Sequence, residues 1–233
     1  GVPFEMKWLV ENEVIPYLRK KFNLKQMIHY RILKVADLGE SAVDDLIGHL
    51  IAGSKNPTVG VLAHPGQVDV RIAALADDVE QANKLIDNVD DLIRELLTDN
   101  IFAVDEETIE SVIGNLLSDM NATIATCEDL SGGSVATAVR DAAGPSFLQS
   151  TIVNSNNSLN KITLQGGETP PFANGADKAA ALARAIKRTA GATYGIAVHG
   201  VEEGEQRSEN LGKGETYIVV SGPFGEKSRH VRS

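Results

Sequence analysis

The densest run of chemically capable residues is Thr126–Gly133, which reads Thr-Cys-Glu-Asp-Leu-Ser-Gly-Gly. It follows a short strand-like stretch, Ala122 to Ala125, and precedes a helical stretch, Ser134 to Ala143. Ligands of open α/β sheets sit beyond the carboxyl ends of strands, so this junction is placed to meet one. Gly132 and Gly133 allow close backbone approach, the N–H groups of the following helix favour an anion, and Ser131 adds a hydroxyl. Glu128 and Asp129 bring two carboxylates to the same loop. Asp129 there has the chemistry of a nucleophile or of a general base for water. The same residues also fit a plain turn with solvated or capping carboxylates. Cys127 has no nearby histidine in sequence and reads as a packed thiol. His199, at the end of a strand-like run, reads as a ligand contact or as a hydrogen-bonded histidine at a sheet edge.

These residues must be positioned by the elements around them. Residues 4–21 have helical character, with Phe4, Trp8, Leu9, Ile15 and Leu18 as apolar contacts and Pro16 as a kink or break. Arg19, Lys20, Lys21 and Lys25 follow as an exposed basic joint. Met27 to Val35 is strand-like, and Ser41 with Asp44 is placed to cap a helix bearing Val43, Leu46, Ile47, Leu50 and Ile51 on one face. A hairpin around Pro65-Gly66 and a helix from Asp77 to Leu97 complete a β-α-β-β-α order, a small two-layer domain. Beyond residue 105, helices alternate with strands at Ala122–Ala125, Ser150–Val153, Tyr194–Val198 and Glu215–Ser221. Residues 154–176, rich in Asn, Ser, Gly and Pro, read as loop. This alternation predicts a three-layer α/β/α domain with a mostly parallel sheet.

Composition narrows the function classes. The chain has 233 residues, with 42% hydrophobic and 23% charged, which are globular values. No apolar run reaches membrane-spanning length and no secretory signal opens the chain, so a cytoplasmic protein is expected. One cysteine gives no internal disulfide, and no Cys/His cluster predicts a metal; no cofactor is expected. The net charge is −10, and residues 76–119 hold thirteen carboxylates against Lys84 and Arg94. That stretch reads as a solvated helix face, and the acidity argues against nucleic acid as a partner.

Several runs resemble the CinA family of competence/damage-inducible proteins. Gly1-Val2-Pro3-Phe4-Glu5-Met6 is similar to a run near the end of the family's N-terminal pyrophosphatase domain, and the first residue is not Met; a preceding domain is therefore expected to be missing. Leu38-Gly39-Glu40-Ser41 and the β-α-β-β-α order resemble the family's KH-like middle domain, yet no Gly-x-x-Gly loop with flanking basic residues supports RNA binding. From about residue 106 the chain resembles the C-terminal domain, which in many relatives is a PncC-type nicotinamide mononucleotide (NMN) deamidase. The resemblance thus implies a helical tail over 1–25, a KH-like domain over 26–104 and a deamidase-like domain over 105–233.

Carried over residue by residue, the deamidase pattern meets two losses. Thr126, Glu128, Gly132 and Gly133 match it and Ser131 stands for a threonine, but the position of the presumed serine nucleophile is Asp129. In the next run, Asn154 to Leu159, Ser155 and Asn156 match, while the presumed lysine base is Leu159, with Lys161 two residues on. Ala197-Val198-His199-Gly200 stands where the family has Ala-Val-Thr-Gly, followed by Glu202-Glu203-Gly204 without its Gly-Pro loop. Arg229-His230-Val231-Arg232 is similar to an Arg-x-x-Arg run near the family's closing helix.

A serine nucleophile needs a base, and lysine serves when its pKa is lowered; Asp and Leu supply neither partner. The resemblance with these losses implies a catalytically degenerate domain serving as a nucleotide-binding or oligomerisation module. Its ligand contacts would be Thr126, Glu128, Gly132, Gly133, Ser155, Asn156, His199, Gly200, Arg229 and Arg232, its ligand NMN-like, and its assembly a homodimer. The alternative is an active NMN amidohydrolase in which Asp129, Ser131 and Lys161 take rearranged catalytic roles.

Overall fold

The computed structural model describes residues 2–201 and 214–232. The chain divides into two units, Gly1–Glu107 and Thr108–Ser233.

The first unit opens with a helical segment: α1 (Pro3–Leu9), a π-helical turn (Val10–Val14) and α2 (Ile15–Phe22). Pro16 cannot donate a backbone hydrogen bond, and the widened turn falls just before it, so the segment continues instead of splitting. None of its residues is buried; Phe4, Trp8, Leu9, Ile15 and Leu18, expected as apolar contacts, are all exposed. Then come β1 (Met27–Val35), α3 (Glu40–Gly53), β2 (Thr58–His64), β3 (Gln67–Ala76), α4 (Val79–Leu97) and β4 (Ile101–Val104). The sheet order is β2-β3-β1-β4, with every pairing antiparallel. The β-α-β-β-α reading holds, with β4 as an added edge strand beside β1. The apolar periods place Leu33, Val35, Val70, Ile72, Val43, Ile47, Ile86 and Ile93 in one core between the sheet and its two helices. Asp78 caps α4 by accepting from Gln81 N at 2.8 Å. The expected Ser41 cap is absent: α3 starts two residues earlier, its N-cap is Gly39, and no side chain caps it. Buried Asp90 on α4 is held by Arg31 at 2.6 Å and Arg94 at 2.7 Å, so part of the acidic stretch is internal ion pairing.

The second unit runs α5 (Ile109–Asp119), β5 (Ile124–Glu128), α6 (Ser134–Ala143), β6 (Phe147–Ile152), α7 (Asn156–Gln165), α8 (Gly175–Ala190), β7 (Tyr194–Val201), β8 (Glu215–Gly222) and β9 (Gly225–Arg232). Its sheet order is β6-β5-β7-β8-β9. The strands β6, β5 and β7 are parallel, and β8 and β9 extend the sheet antiparallel. Where the sequence predicts a mostly parallel sheet, the sheet is mixed, and its parallel half carries the Thr126–Gly133 run. The helices α5 and α6 pack Leu117, Val139 and Ala143 against Ile124 on one face. The helices α7 and α8 pack Leu159, Ile162, Leu182 and Ile186 against Ala125, Cys127 and Ala197 on the other. The three-layer α/β/α order is therefore present.

A further expectation changes here. Residues 154–176, read as loop from their Asn and Ser content, contain α7. Those polar residues start the helix: Ser155 caps it, accepting from Ser158 N, and Leu159, Ile162 and Thr163 are its buried stripe. The run Arg229–Arg232 lies on the edge strand β9.

Candidate functional site

The strand β5 ends at Glu128, three residues later than the Ala122–Ala125 reading places it, so Glu128 is the last strand residue and not part of a loop. Its side chain is fully buried, on the α5/α6 side of the sheet. One carboxylate oxygen accepts from Ser131 Oγ at 2.6 Å, Val135 N at 3.1 Å and Gly133 N at 3.2 Å. The other accepts from Ala136 N at 2.7 Å. The anion expected at the start of α6 is therefore supplied by the protein itself. A buried carboxylate is tolerable only when so paired, and the helix N-terminus adds its own favourable field. The loop fits around it because Gly132 and Gly133 take φ of 59° and 97°, and a Cβ at Gly133 would come within 3.0 Å of Ile152 Cδ1.

Asp129 is the next residue, and it turns to the other face. One carboxylate oxygen, Oδ1, accepts from Leu130 N and from Gly200 N, the latter at 3.0 Å. The other, Oδ2, is bonded to His199 Nδ1. The two residues are 70 apart in sequence and meet because β5 and β7 are parallel neighbours in register, Glu128 beside Val198. Both side chains are almost entirely buried, while His199 Nε2 has no hydrogen-bond partner among the described residues. Gly200 has to be glycine: a Cβ there would lie 2.6 Å from Glu215 O. His199 stands beside Tyr217 on β8, which stands beside His230 on β9. The Tyr217 and His230 rings stack with centroids 4.5 Å apart, and Tyr217 Oη donates to Glu215 at 3.0 Å. Burial, with the Glu215 carboxylate beside it, raises the Tyr217 pKa.

The remaining predicted site residues are not gathered there. Ser131 spends its hydroxyl on Glu128, and Ser155 spends its own on capping α7, whose first residue is Asn156. Thr126 is buried within β5, its Oγ1 unpartnered among the described residues. Leu159 packs in the core beside Val153, Ala179 and Leu182. Lys161, two positions along the same helix, is exposed. Two helical residues turn about 200°, so no small shift brings Lys161 to the place of Leu159. Arg232 pairs with Glu215 at 3.3 Å, and Arg229 sits on the opposite face of β9. Glu202-Glu203-Gly204 lies outside the described residues.

Cys127 is fully buried between the two carboxylate residues and the α7/α8 core. Burial, with Asp129 and Glu128 adding to it, pushes its thiol up to about 12, so it stays protonated and un-nucleophilic near neutrality. The described residues hold no cluster of three or more metal-ligating side chains, and no described helix is long and apolar enough to cross a membrane. The Asp129–His199 bond joins residues that the sequence offers separately. The one available signal is that each follows a strand-like run, since neighbouring parallel strands end side by side.

The fold and this junction define a two-domain α/β protein of a known kind. The model of the damage-inducible protein CinA KH domain matches residues 30–103, and that of the CinA C-terminal domain matches residues 106–233. The chain belongs to the CinA family. It is 37% identical over 205 residues to a protein of Clostridium botulinum (strain 657 / Type Ba4) named for competence-damage inducibility, covering 86% of this chain and 50% of that one. A protein of the same name from Desulforamulus reducens is 33% identical over 237 residues, covering all of this chain and 57% of its own length. The chain thus spans about half the length of these relatives. A crystal structure of a CinA superfamily protein from Enterobacter cloacae aligns with TM-score 0.46 and 18% identity over 58% of this chain and 85% of that one.

Proposed function

We propose that the second unit is a deamidase-type domain that binds an NMN-like nucleotide without hydrolysing its amide by the family's serine–lysine route. One observation carries the reading. Both oxygens of Asp129, at the position of the presumed nucleophile, are engaged by Leu130 N, Gly200 N and His199 Nδ1, while Leu159, at the position of the presumed base, is core. A carboxylate held in this way is neither a free nucleophile nor a free base. Ser131 and Lys161 do not complete a rearranged set, since one is bound to Glu128 and the other faces solvent. What this arrangement keeps is a buried polar group, His199 Nε2, at the carboxyl end of parallel strands, where α/β sheets take their ligands.

A second reading draws on that same nitrogen: a histidine oriented by a carboxylate is a general base for water, and amide hydrolysis would follow by that route. Calorimetric titration of the chain with NMN, with ammonia assayed in the same samples, separates the two. Heat of binding without ammonia supports the proposal. Ammonia release supports water activation by His199. Neither leaves an oligomerisation role, read from the mass in solution.

A further inference from the structure

We infer that His199 is the ligand-selecting residue of this site, and that its Nε2 takes a hydrogen-bond donor, a neutral amide or hydroxyl, in preference to a carboxylate. The ligand class rests on the proposed nucleotide binding; the proton assignment does not.

The assignment follows from the partners of Asp129. Leu130 N and Gly200 N can only donate, so they hold Oδ1 as an acceptor. Oδ2 faces His199 Nδ1, and a carboxylate has no proton to give. The proton between them therefore belongs to Nδ1, and in the neutral ring Nε2 carries the lone pair. That atom is buried and without a partner among the described residues. Buried polar atoms are paired in the great majority of cases, so an unpaired one, on a ring fixed by its other nitrogen, is a group awaiting a ligand. Among the described residues its neighbours do not compete for it: the Tyr217 hydroxyl is committed to Glu215, and the Cys127 thiol is buried one step back along the same sheet face. An amide N–H or a hydroxyl satisfies Nε2. A carboxylate would set two acceptors face to face, with the Asp129 charge behind them.

The same geometry predicts that Asp129→Asn inverts the preference. The Asn oxygen stays with Leu130 N and Gly200 N, which turns its NH2 toward Nδ1. The ring proton then moves to Nε2, which becomes a donor. The test has two parts on the full chain. Nitrogen-15 NMR of the unliganded protein, with His199 assigned by a His199→Gln variant, reads the tautomer. Titration with NMN and with nicotinate mononucleotide reads selectivity. Expected are an Nδ1–H ring, NMN bound at least about tenfold more tightly than the acid, and both results reversed in Asp129→Asn. An Nε2–H ring in the unaltered chain, or equal binding of the two nucleotides, overturns the inference. If neither nucleotide binds, the nucleotide reading falls and the tautomer spectrum alone decides the role of His199.

Discussion

Leu159 and Lys161 lie two residues apart on α7, with Leu159 sealed in the core of the second unit and Lys161 in solvent. A lysine placed at 159 would bury an ammonium among Val153, Ala179 and Leu182. The expected cost for Leu159→Lys is about 3 kcal/mol or more, seen as a lower urea midpoint. A Lys161→Ala variant, by contrast, is expected to unfold within about 0.5 kcal/mol of the parent chain.

The Glu128 carboxylate is a structural anion, and its removal should be expensive. Glu128→Ala strands Ser131 Oγ and the N–H groups of Gly133, Val135 and Ala136. A loss of about 3–5 kcal/mol is expected, and Glu128→Gln should lose less because the shape is kept while the charge and one acceptor go. Denaturant melts of the two variants check the order; equal stability of Glu128→Ala and the parent would contradict the role.

Acid should loosen one corner of the second unit. Glu168, after α7, is bonded to Arg184 at 2.8 Å and to Arg188, and hydrogen bonding to Arg184 is the main cause of a carboxyl pKa below the usual range. A lowered folded pKa means stability that is complete above the unfolded value, near pH 4.3, and is lost as pH falls through the folded value. The difference in stability between Glu168→Gln and the parent should therefore be largest at neutral pH and shrink below about pH 4. A difference that grows on acidification would reverse the sign and refute it. Because Arg188 is half exposed, its share of the effect is expected to be small.

The buried thiol gives a direct probe of order around the site. Cys127, with its pKa raised to about 12, should resist an aromatic disulfide reagent at pH 8 in the folded chain and react at once in denaturant. Rapid native labelling would mean that β5 opens readily.

Much of the first unit was legible because its signals are local. The apolar period of α4, the Pro65-Gly66 turn and the alternation in β3 each carry their own evidence. Three features of the second unit were not legible. The helix α7 hides behind Asn and Ser residues whose work is capping, so composition points to loop while Leu159 and Ile162 point to core. The strand β9 has no buried residue, hence no apolar pattern to read. The Asp129–His199 bond depends on which strands are neighbours, information that residue spacing does not hold. The departures from the family pattern at Asp129 and Leu159 were readable by register alone; only the structure shows that Asp129 has other partners and that Leu159 is packed in the core.

The proposed loss of serine–lysine chemistry from a retained fold is open to a single assay. It is tested most directly by ammonia release from NMN by the purified chain, run beside Asp129→Ser/Leu159→Lys, with circular dichroism confirming that the variant folds. No release above the blank is expected from the chain itself. Sustained turnover by the unaltered chain, abolished by His199→Ala, would contradict it and make the Asp129–His199 pair a working catalytic base.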